Sequence, residues 1–578
     1  MSESIAKPRR RVKSGCKTCK ARRVKCDESR PACRRCLSTG RACEGYGIWG
    51  GGGSPYGQPQ SNRALSVYCT PIPAGSLTAD EQVSFDWFME RTAKKFAGLF
   101  TSDFWETLVF QASAQEPAVR HAIVALSAAH RYDSNYGPWM IPTMYGFDAE
   151  QFTLQQYNKA IKCLRAPGGN SKKTTRVALI TCLIFVTLEY LRGQYQMGAA
   201  HLRYGIQLLS EMSKLSSPRS SIFPKILSPA EDFAHKAIID SYARLITQSA
   251  LFGYIPPHLC VMIRDPLTNA LPYKFSSMVE ARQSLDDLLN RIHCLEQHSN
   301  ILKSAKQAEI NDQELITIQQ NIISDLILWR KIHTATYIRQ TQVARQYQFG
   351  SILLRVYHEM ATIMALVLLS PSSEMAYDDQ TPHFLAIITG FFELWKCWTT
   401  TSSIQRLDIT ELMKSPECKG NGFTVESGFI PPIYYTALKC RVPKIRRQAI
   451  RTLRSAPHRE GVWNGLLLAD VLEVVLAIEE GDFYEGDSFE GFDGPMEEMI
   501  TEKELNVPKV PEERRLSDVK VILPDKVASD TFVSYKKIVD GKWVTFEKKV
   551  EPGVLRGWKL HREGPEVTIG GLWKGMSQ

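Results

Sequence analysis

Six cysteines crowd the start of the chain: Cys16, Cys19, Cys26, Cys33, Cys36 and Cys43. Their spacing is C-x2-C-x6-C-x6-C-x2-C-x6-C, and the second three repeat the first three at a constant offset of 17 residues. Such a repeat reads as two copies of one metal-ligand unit related by a pseudo-twofold. Thiolates packed this closely need a soft cation, and zinc in tetrahedral sulfur coordination is the common solution. Two zincs require eight thiolate positions, so two of the six cysteines must bridge. The symmetric choice is the first of each half, Cys16 and Cys33. A 28-residue segment has too little core to fold alone, so metal binding should drive its folding.

Each half is expected to be a short helix followed by an extended return. Between Cys19 and Cys26 lie Lys20, Arg22, Arg23 and Lys25, four basic residues out of six. They are expected on a helix whose other side is pinned to metal. That helix suits a DNA major groove, where Arg and Lys donors match guanine O6 and N7. The second half, Leu37-Ser38-Thr39-Gly40-Arg41-Ala42 between its last two cysteines, is much less basic. The first half should read bases, and the second should brace it and touch phosphate.

The charge balance agrees. The chain carries a formal net charge of +10, and residues 1–46 hold 14 Lys/Arg against 4 Asp/Glu. The remaining residues balance at 57 of each sign. Two Zn²⁺ and six thiolates sum to about −2, so the loaded segment is nearer +8. A basic module on a neutral body is built for a polyanion, and double-stranded DNA is the partner it implies.

Cys16-Lys17-Thr18-Cys19-Lys20-Ala21-Arg22-Arg23-Val24-Lys25-Cys26-Asp27 resembles the fungal binuclear zinc cluster (six-cysteine) family of transcription factors, as does Arg30-Pro31-Ala32-Cys33-Arg34-Arg35-Cys36. The resemblance implies two zinc ions per chain, with Cys16 and Cys33 bridging. It implies recognition of CGG-type triplets, the main base contact on Arg23 with Arg22 beside it, and phosphate contacts from Lys20 and Lys25. A second resemblance, to the fungal-specific transcription factor domain, covers roughly residues 80–480. It rests on Phe85-Asp86-Trp87-Phe88, Leu99-Phe100-Thr101-Ser102-Asp103-Phe104-Trp105 and Glu116-Pro117-Ala118-Val119-Arg120-His121-Ala122. It implies an all-helical regulatory body and names no ligand.

The elements around the cysteine module divide the chain. Residues 1–15 form a basic arm, 16–43 the zinc cluster and 44–78 a Gly/Pro-rich linker. Residues 79–480 form a helical body, 481–510 an acidic linker and 511–578 a small β-rich element. The fold class is mainly α, with a small antiparallel β element at the end. Helical periodicity places helices at Pro117–Arg131, Phe152–Arg165, Thr174–Leu191 and Tyr195–Met212, the last two turning at Gly193. Further helices fall at 228–251, 276–298, 308–340, 342–369, 381–399, 443–455 and 462–480. Val519–Leu523, Thr531–Val539 and Lys542–Val550 alternate, and Asp540-Gly541 marks a hairpin. Eleven acidic residues among 479–504 surround Phe483, Tyr484, Phe489 and Phe492, a composition that suits transactivation or a solvated loop. A coiled coil that would set half-site spacing is missing behind the cluster. Leu285, Leu288, Ile292 and Leu295 form only a short heptad-like run, read as helix core. Monomeric binding and homodimerisation through the helical body both stay open.

Other classes fit less well. The start is polar and basic rather than a secretory signal, and the longest apolar run, Val177 to Leu188, is 12 residues, short for a bilayer. No membrane partner is expected. Lys7-Pro8-Arg9-Arg10-Arg11-Val12-Lys13 suits nuclear import, so the expected location is the nucleus. The eight remaining cysteines read as buried free thiols of a reducing compartment. His358-Glu359 lacks the second His of H-E-x-x-H, and no phosphate-binding or nucleophile-elbow motif occurs, so no catalytic residue is expected. His121, His130 and His201 read as satisfied helix histidines. Trp87, Trp105, Trp139, Trp395 and Trp398 read as core, with a small-molecule effector pocket as the alternative. The reading is a sequence-specific DNA-binding regulator of RNA polymerase II transcription, acting on metabolism or a biosynthetic gene cluster and contacting the transcription machinery. The alternative is an enzyme or ligand-binding protein in which the cluster is only a tether.

Overall fold

The computed structural model describes residues 18–19, 22–27, 33–39, 77–96, 98, 100, 102–136, 144–165, 171–212, 233–252, 271–304, 312–337, 345–370, 374–399, 423–455, 459–484, 500–523, 530–551 and 567–568. The arm 1–15, most of the linker 44–78, Cys16, Lys20, Cys43 and residues 485–499 lie outside them.

The zinc segment contributes one short helix, α1 (Arg34–Leu37). The body opens with α2 (Ala79–Trp87), started by a capping box in which Thr78 and Glu81 satisfy each other's backbone N–H. Two π-helical turns, Phe88–Thr92 and Phe104–Leu108, flank the short α3 (Ala93–Phe96). They turn Phe88, Phe96, Phe104 and Trp105 into one buried aromatic cluster, with Trp105 edge-on to Phe96 at 5.6 Å. Helices α4 (Val109–Gln115), α5 (Pro117–Tyr136), α6 (Met144–Leu164), α7 (Ser171–Leu191) and α8 (Tyr195–Met212) follow. The α7–α8 hairpin turns at Gly193, whose φ of +75° is a left-handed conformation that glycine adopts without strain.

Helix α9 (Phe233–Leu251) packs on α7, α8 and α10 (Met278–Ser304) and so joins the two halves of the body. The second half holds α11 (Asp312–Tyr337), α12 (Arg345–Val367) and α13 (Thr381–Thr399), then α14 (Ile430–Lys439), α15 (Pro443–Ser455) and α16 (Gly465–Glu480). The heptad-like Leu285, Leu288, Ile292 and Leu295 are buried core residues of α10. Within α7 and α12, Lys173–Leu191 and Gln348–Val367 are long and apolar enough to cross a membrane, beyond the 12-residue run evident in sequence. Most of each is buried inside the helical body, as suits core helices.

Sequence periodicity did not reveal α14, because Ile430-Pro431-Pro432 reads as a helix breaker. In the first turn proline costs no hydrogen bond, and that is where both prolines sit. The helix start is capped from a distance: buried Glu460 accepts N–H groups of Gly428, Phe429 and Ile430 at 2.7, 3.0 and 3.2 Å. A side chain at Gly428 would meet Glu460 Oε1 at 2.4 Å. Glu460 lies in β2 (Arg459–Glu460), which pairs with β1 (Phe423–Thr424) in parallel and β3 (Trp463–Asn464) in antiparallel register. Strands of two residues show no period.

The C-terminal sheet is antiparallel in the order β4 (Ser517–Ile522), β5 (Thr531–Val539), β6 (Lys542–Val550), β7 (Val567–Thr568). Asp540 and Gly541, at φ +50° and +72°, make the two-residue hairpin loop between Val539 and Lys542. The sheet is fastened to the body. Arg515 is buried and donates to the carbonyls of Val510 and Glu374 at 2.8 Å and to both Asp378 oxygens at 3.0 and 2.8 Å. Glu479 accepts the Leu516 N–H at 2.8 Å and pairs with Arg441 and Arg446 at 2.7 and 2.8 Å. The acidic stretch is therefore partly structural: Glu480, Asp482 and Glu504 also pair, with Arg447, Arg514 and Lys444. A short helix, α17 (Glu502–Leu505), ends it.

Candidate metal centre and nucleic-acid interface

Two turns of backbone bring the described cysteines together. In the first half, Arg22 N–H donates to Thr18 O at 3.1 Å, and Val24 N–H reaches back five residues to Cys19 O at 3.0 Å. This closing pattern needs a left-handed residue, and Arg23 supplies it with φ +56°. The expected helix therefore does not run from Cys19 to Cys26. It ends at Arg22–Arg23, and Val24–Asp27 return without helix. The reason is geometric: Cys26 must come back to Cys19, and one left-handed residue reverses the chain within a turn. Arg23 and Lys25 are exposed, while Val24 packs against the sulfurs. Arg22 is half-buried and its Nη1 donates to Thr39 Oγ1 at 3.2 Å, tying the two halves together.

In the second half Cys33 caps α1, its Sγ accepting the Cys36 N–H at 3.3 Å. Asp27 adds a cap from the other half, accepting the N–H groups of Arg34 and Arg35 at 3.0 and 2.9 Å. Sequence reasoning assigned Asp27 no role. Its only signal was position, since Asp27 and Glu44 follow the third cysteine of each repeat.

Cys19, Cys26, Cys33 and Cys36 are all buried. Cys19 Sγ lies 3.6 Å from Cys33 Sγ and 3.8 Å from Cys36 Sγ. The sulfurs of Cys19, Cys26 and Cys33 lie within 4.8 Å of one another. A disulfide would bring two sulfurs to about 2 Å. A zinc tetrahedron with bonds of about 2.3 Å has edges of roughly 3.8 Å. The donor set thus fits zinc. Cys33 belongs to the second repeat yet sits with Cys19 and Cys26 of the first, the position a shared ligand must take. Cys19 and Cys36 are equivalent in the two repeats and meet across the pseudo-twofold.

Elsewhere the weaker candidates behave as structure. His130 is buried, hydrogen-bonded to Thr92 at 2.8 Å and held neutral, its pKa pushed down to about 4 by burial and by Lys95 and Arg91. His121 pairs with Gln156, and His201 with Tyr157. Trp105 is core, and Trp87 lies under Arg91. Trp139 and the side chains of Trp395 and Trp398 lie outside the described residues. Two voids beside Arg244, of about 10 and 20 Å³, have room for about one water each. Cys182 and Cys440 are buried free thiols, pushed up to about 12 and 11 by burial. Cys294 departs from the expectation of free thiols, because it is disulfide-bonded, a pairing that spacing along the chain does not reveal.

Residues 14–48 match the family model described as the fungal Zn(2)-Cys(6) binuclear cluster domain. The chain is 33% identical over 224 residues to the aspercryptin biosynthesis cluster-specific transcription regulator atnN of Emericella nidulans, a match covering 35% of each chain. It is 29% identical over 211 residues to the transcription regulator lscL of Purpureocillium lilacinum, covering 33% of this chain and 47% of that one. Over 45 residues it is 56% identical to the transcriptional regulatory protein moc3 of Schizosaccharomyces pombe, covering 8% of this chain and 9% of the other. The matches span less than half the length of these relatives. No solved structure matches the chain.

Proposed function

The chain carries a fungal Zn(2)-Cys(6) binuclear cluster domain, which binds two zinc ions, and on that premise we propose that it is a nuclear, sequence-specific regulator of RNA polymerase II transcription. Cys16, Cys19, Cys26, Cys33, Cys36 and Cys43 hold the two ions, with Cys16 and Cys33 bridging. Zinc supplies the cross-links that fold the segment; it does no chemistry on DNA. The exposed Arg23 reads guanine in a CGG-like triplet, and Lys20 and Lys25 bind phosphate. Arg22, tied to Thr39, sets the angle between the halves. The observation that carries this reading is the buried sulfur cluster with sulfurs at 3.6 and 3.8 Å, from which exposed Arg23 and Lys25 project.

Residues 79–480 serve as the regulatory body. The aspercryptin regulator is named for a biosynthesis cluster, and that likeness supports control of a biosynthetic pathway here. The acidic-aromatic stretch 479–504 would serve transactivation in addition to the ion pairs it makes.

A random-oligonucleotide selection with full-length, zinc-loaded protein tests the reading. Enrichment of CGG-containing sites, abolished by a zinc chelator, is the expected result. Failure to enrich any sequence at physiological salt would overturn it.

A further inference from the structure

Between Glu150 and Glu189 the chain carries no acidic residue and six basic ones: Lys159, Lys162, Arg165, Lys172, Lys173 and Arg176. The first three fall on or just past the last two turns of α6, the others on the first two turns of α7. Six residues, 165–170, join these helices, so the two helix ends lie within about 25 Å of each other. Residues three apart on a helix are surface neighbours, which sets Lys162 between Lys159 and Arg165, and Lys173 beside Arg176. Lys159, Lys162, Arg165 and Lys173 are exposed, and Arg176 is half-buried. Two acids from neighbouring elements reach the cluster. Glu81 of α2 pairs with Lys159 at 2.8 Å, and Glu116, just ahead of α5, pairs with Lys173 at 2.7 Å. Asp80 lies beside Glu81 in the first turn of α2. Lys162 and Arg165 pair with no carboxylate among the described residues. The N-terminus of α7 adds its own partial positive charge. Outside residues 1–46 the charges of the chain cancel, so a segregated positive end on the body marks a contact for a polyanion.

The same end of the body receives the chain from the zinc module. Thr78 caps α2, and Glu81 in that first turn accepts from Gln156 and Lys159 of α6, both at 2.8 Å. The body therefore begins one helical turn from Lys162. We propose that Lys162 and Arg165 contact the phosphate backbone of DNA beside the site that the zinc module holds. Charge selects a polyanion, and the tether selects DNA. A duplex bound by residues 16–43 is held on the same chain as this surface, so the second contact is intramolecular and gains from a high effective concentration. Phosphate contacts carry no sequence information, so the surface adds affinity and salt dependence without changing which triplet is read. This contact rests on the DNA reading proposed above.

Binding of the full-length, zinc-loaded chain to a long duplex carrying its selected site, measured over a salt series, tests this. Lys162→Ala and Arg165→Ala together should lower the salt slope by about 2 and leave the triplet preference unchanged. On a duplex trimmed to the recognised triplet, the natural chain and the double variant should bind alike. Lys331→Ala removes an exposed lysine of α11, far along the chain, and should leave the slope unchanged. Circular dichroism checks the fold; should the alanine pair misfold, Lys162→Gln with Arg165→Gln carries the test. An unchanged slope in the double variant, with triplet preference intact, overturns this contact and leaves the DNA reading standing. A slope lowered as much by Lys331→Ala reflects net charge alone and also overturns it. If the double variant weakens binding of polyglutamate but not of DNA, the surface serves an acidic protein and the proposal falls. Failure of the natural chain to prefer any sequence overturns the DNA reading, and this contact with it.

Discussion

At Arg23 the chain reverses direction with φ +56°, and that reversal governs what each basic side chain can reach. Arg23 stands at the bend and is exposed, so Arg23→Ala should cost about 1–3 kcal/mol of specific binding and relax the triplet preference. Arg23→Gly keeps the left-handed turn and should show the same loss of preference, which separates side chain from backbone. Lys25 lies past the bend; Lys25→Ala should weaken all DNA about equally and lower the salt slope by about 1. Competition binding over a salt series distinguishes the two outcomes. Asp27 holds two backbone amides of α1, so Asp27→Ala should destabilise the loaded cluster by about 1 kcal/mol, read as easier zinc loss to a chelator. The gathering of Cys19, Cys26, Cys33 and Cys36 was legible in sequence because clustered thiols need a fixed side-chain type at fixed spacing. Asp27 was not, because its partners are backbone groups seven and eight residues away, and a backbone amide leaves no mark on residue type.

At the scale of elements, legibility followed burial. Tyr195–Met212, Thr381–Thr399 and Pro443–Ser455 fall where their periodicity predicts, each with an apolar side turned inward. Helix α14 was hidden by its two leading prolines, and its cap, Glu460, lies some 30 residues further on. Such long-range capping recurs at the start of the body. Glu81 caps α2 and also accepts from Gln156 and Lys159 of α6, both at 2.8 Å. Burial works against its charge, but Lys159, the Thr78 N–H and Gln156 outweigh that and hold its pKa at about 2, below the ordinary 4.5. A carboxylate depressed on folding contributes stability above its unfolded pKa and loses it as pH falls. The docking of α2 on α6 should therefore weaken as pH drops from 4.5 toward 2. Thermal unfolding over that range should fall more steeply for the natural chain than for Glu81→Gln.

For the whole molecule, composition sets apart a helical body, an acidic linker and a terminal sheet but does not reveal how the pieces are joined. The hairpin was legible from alternation and from Asp540-Gly541. Its attachment was not, because Arg515 and Leu516 use main-chain carbonyls, Asp378 and Glu479, which are far away in sequence. Arg515→Ala strands Asp378 and should cost about 3–5 kcal/mol, the range for breaking one side of a buried pair; urea unfolding of the full chain measures it. Glu479 carries a wider implication. It serves Arg441, Arg446 and the Leu516 amide together, so the helical body leans on the segment C-terminal to it. In genetic terms, a premature stop codon shortly after residue 510 would not yield a slightly trimmed regulator. It would behave as a loss-of-function allele, visible as depleted protein with normal transcript levels.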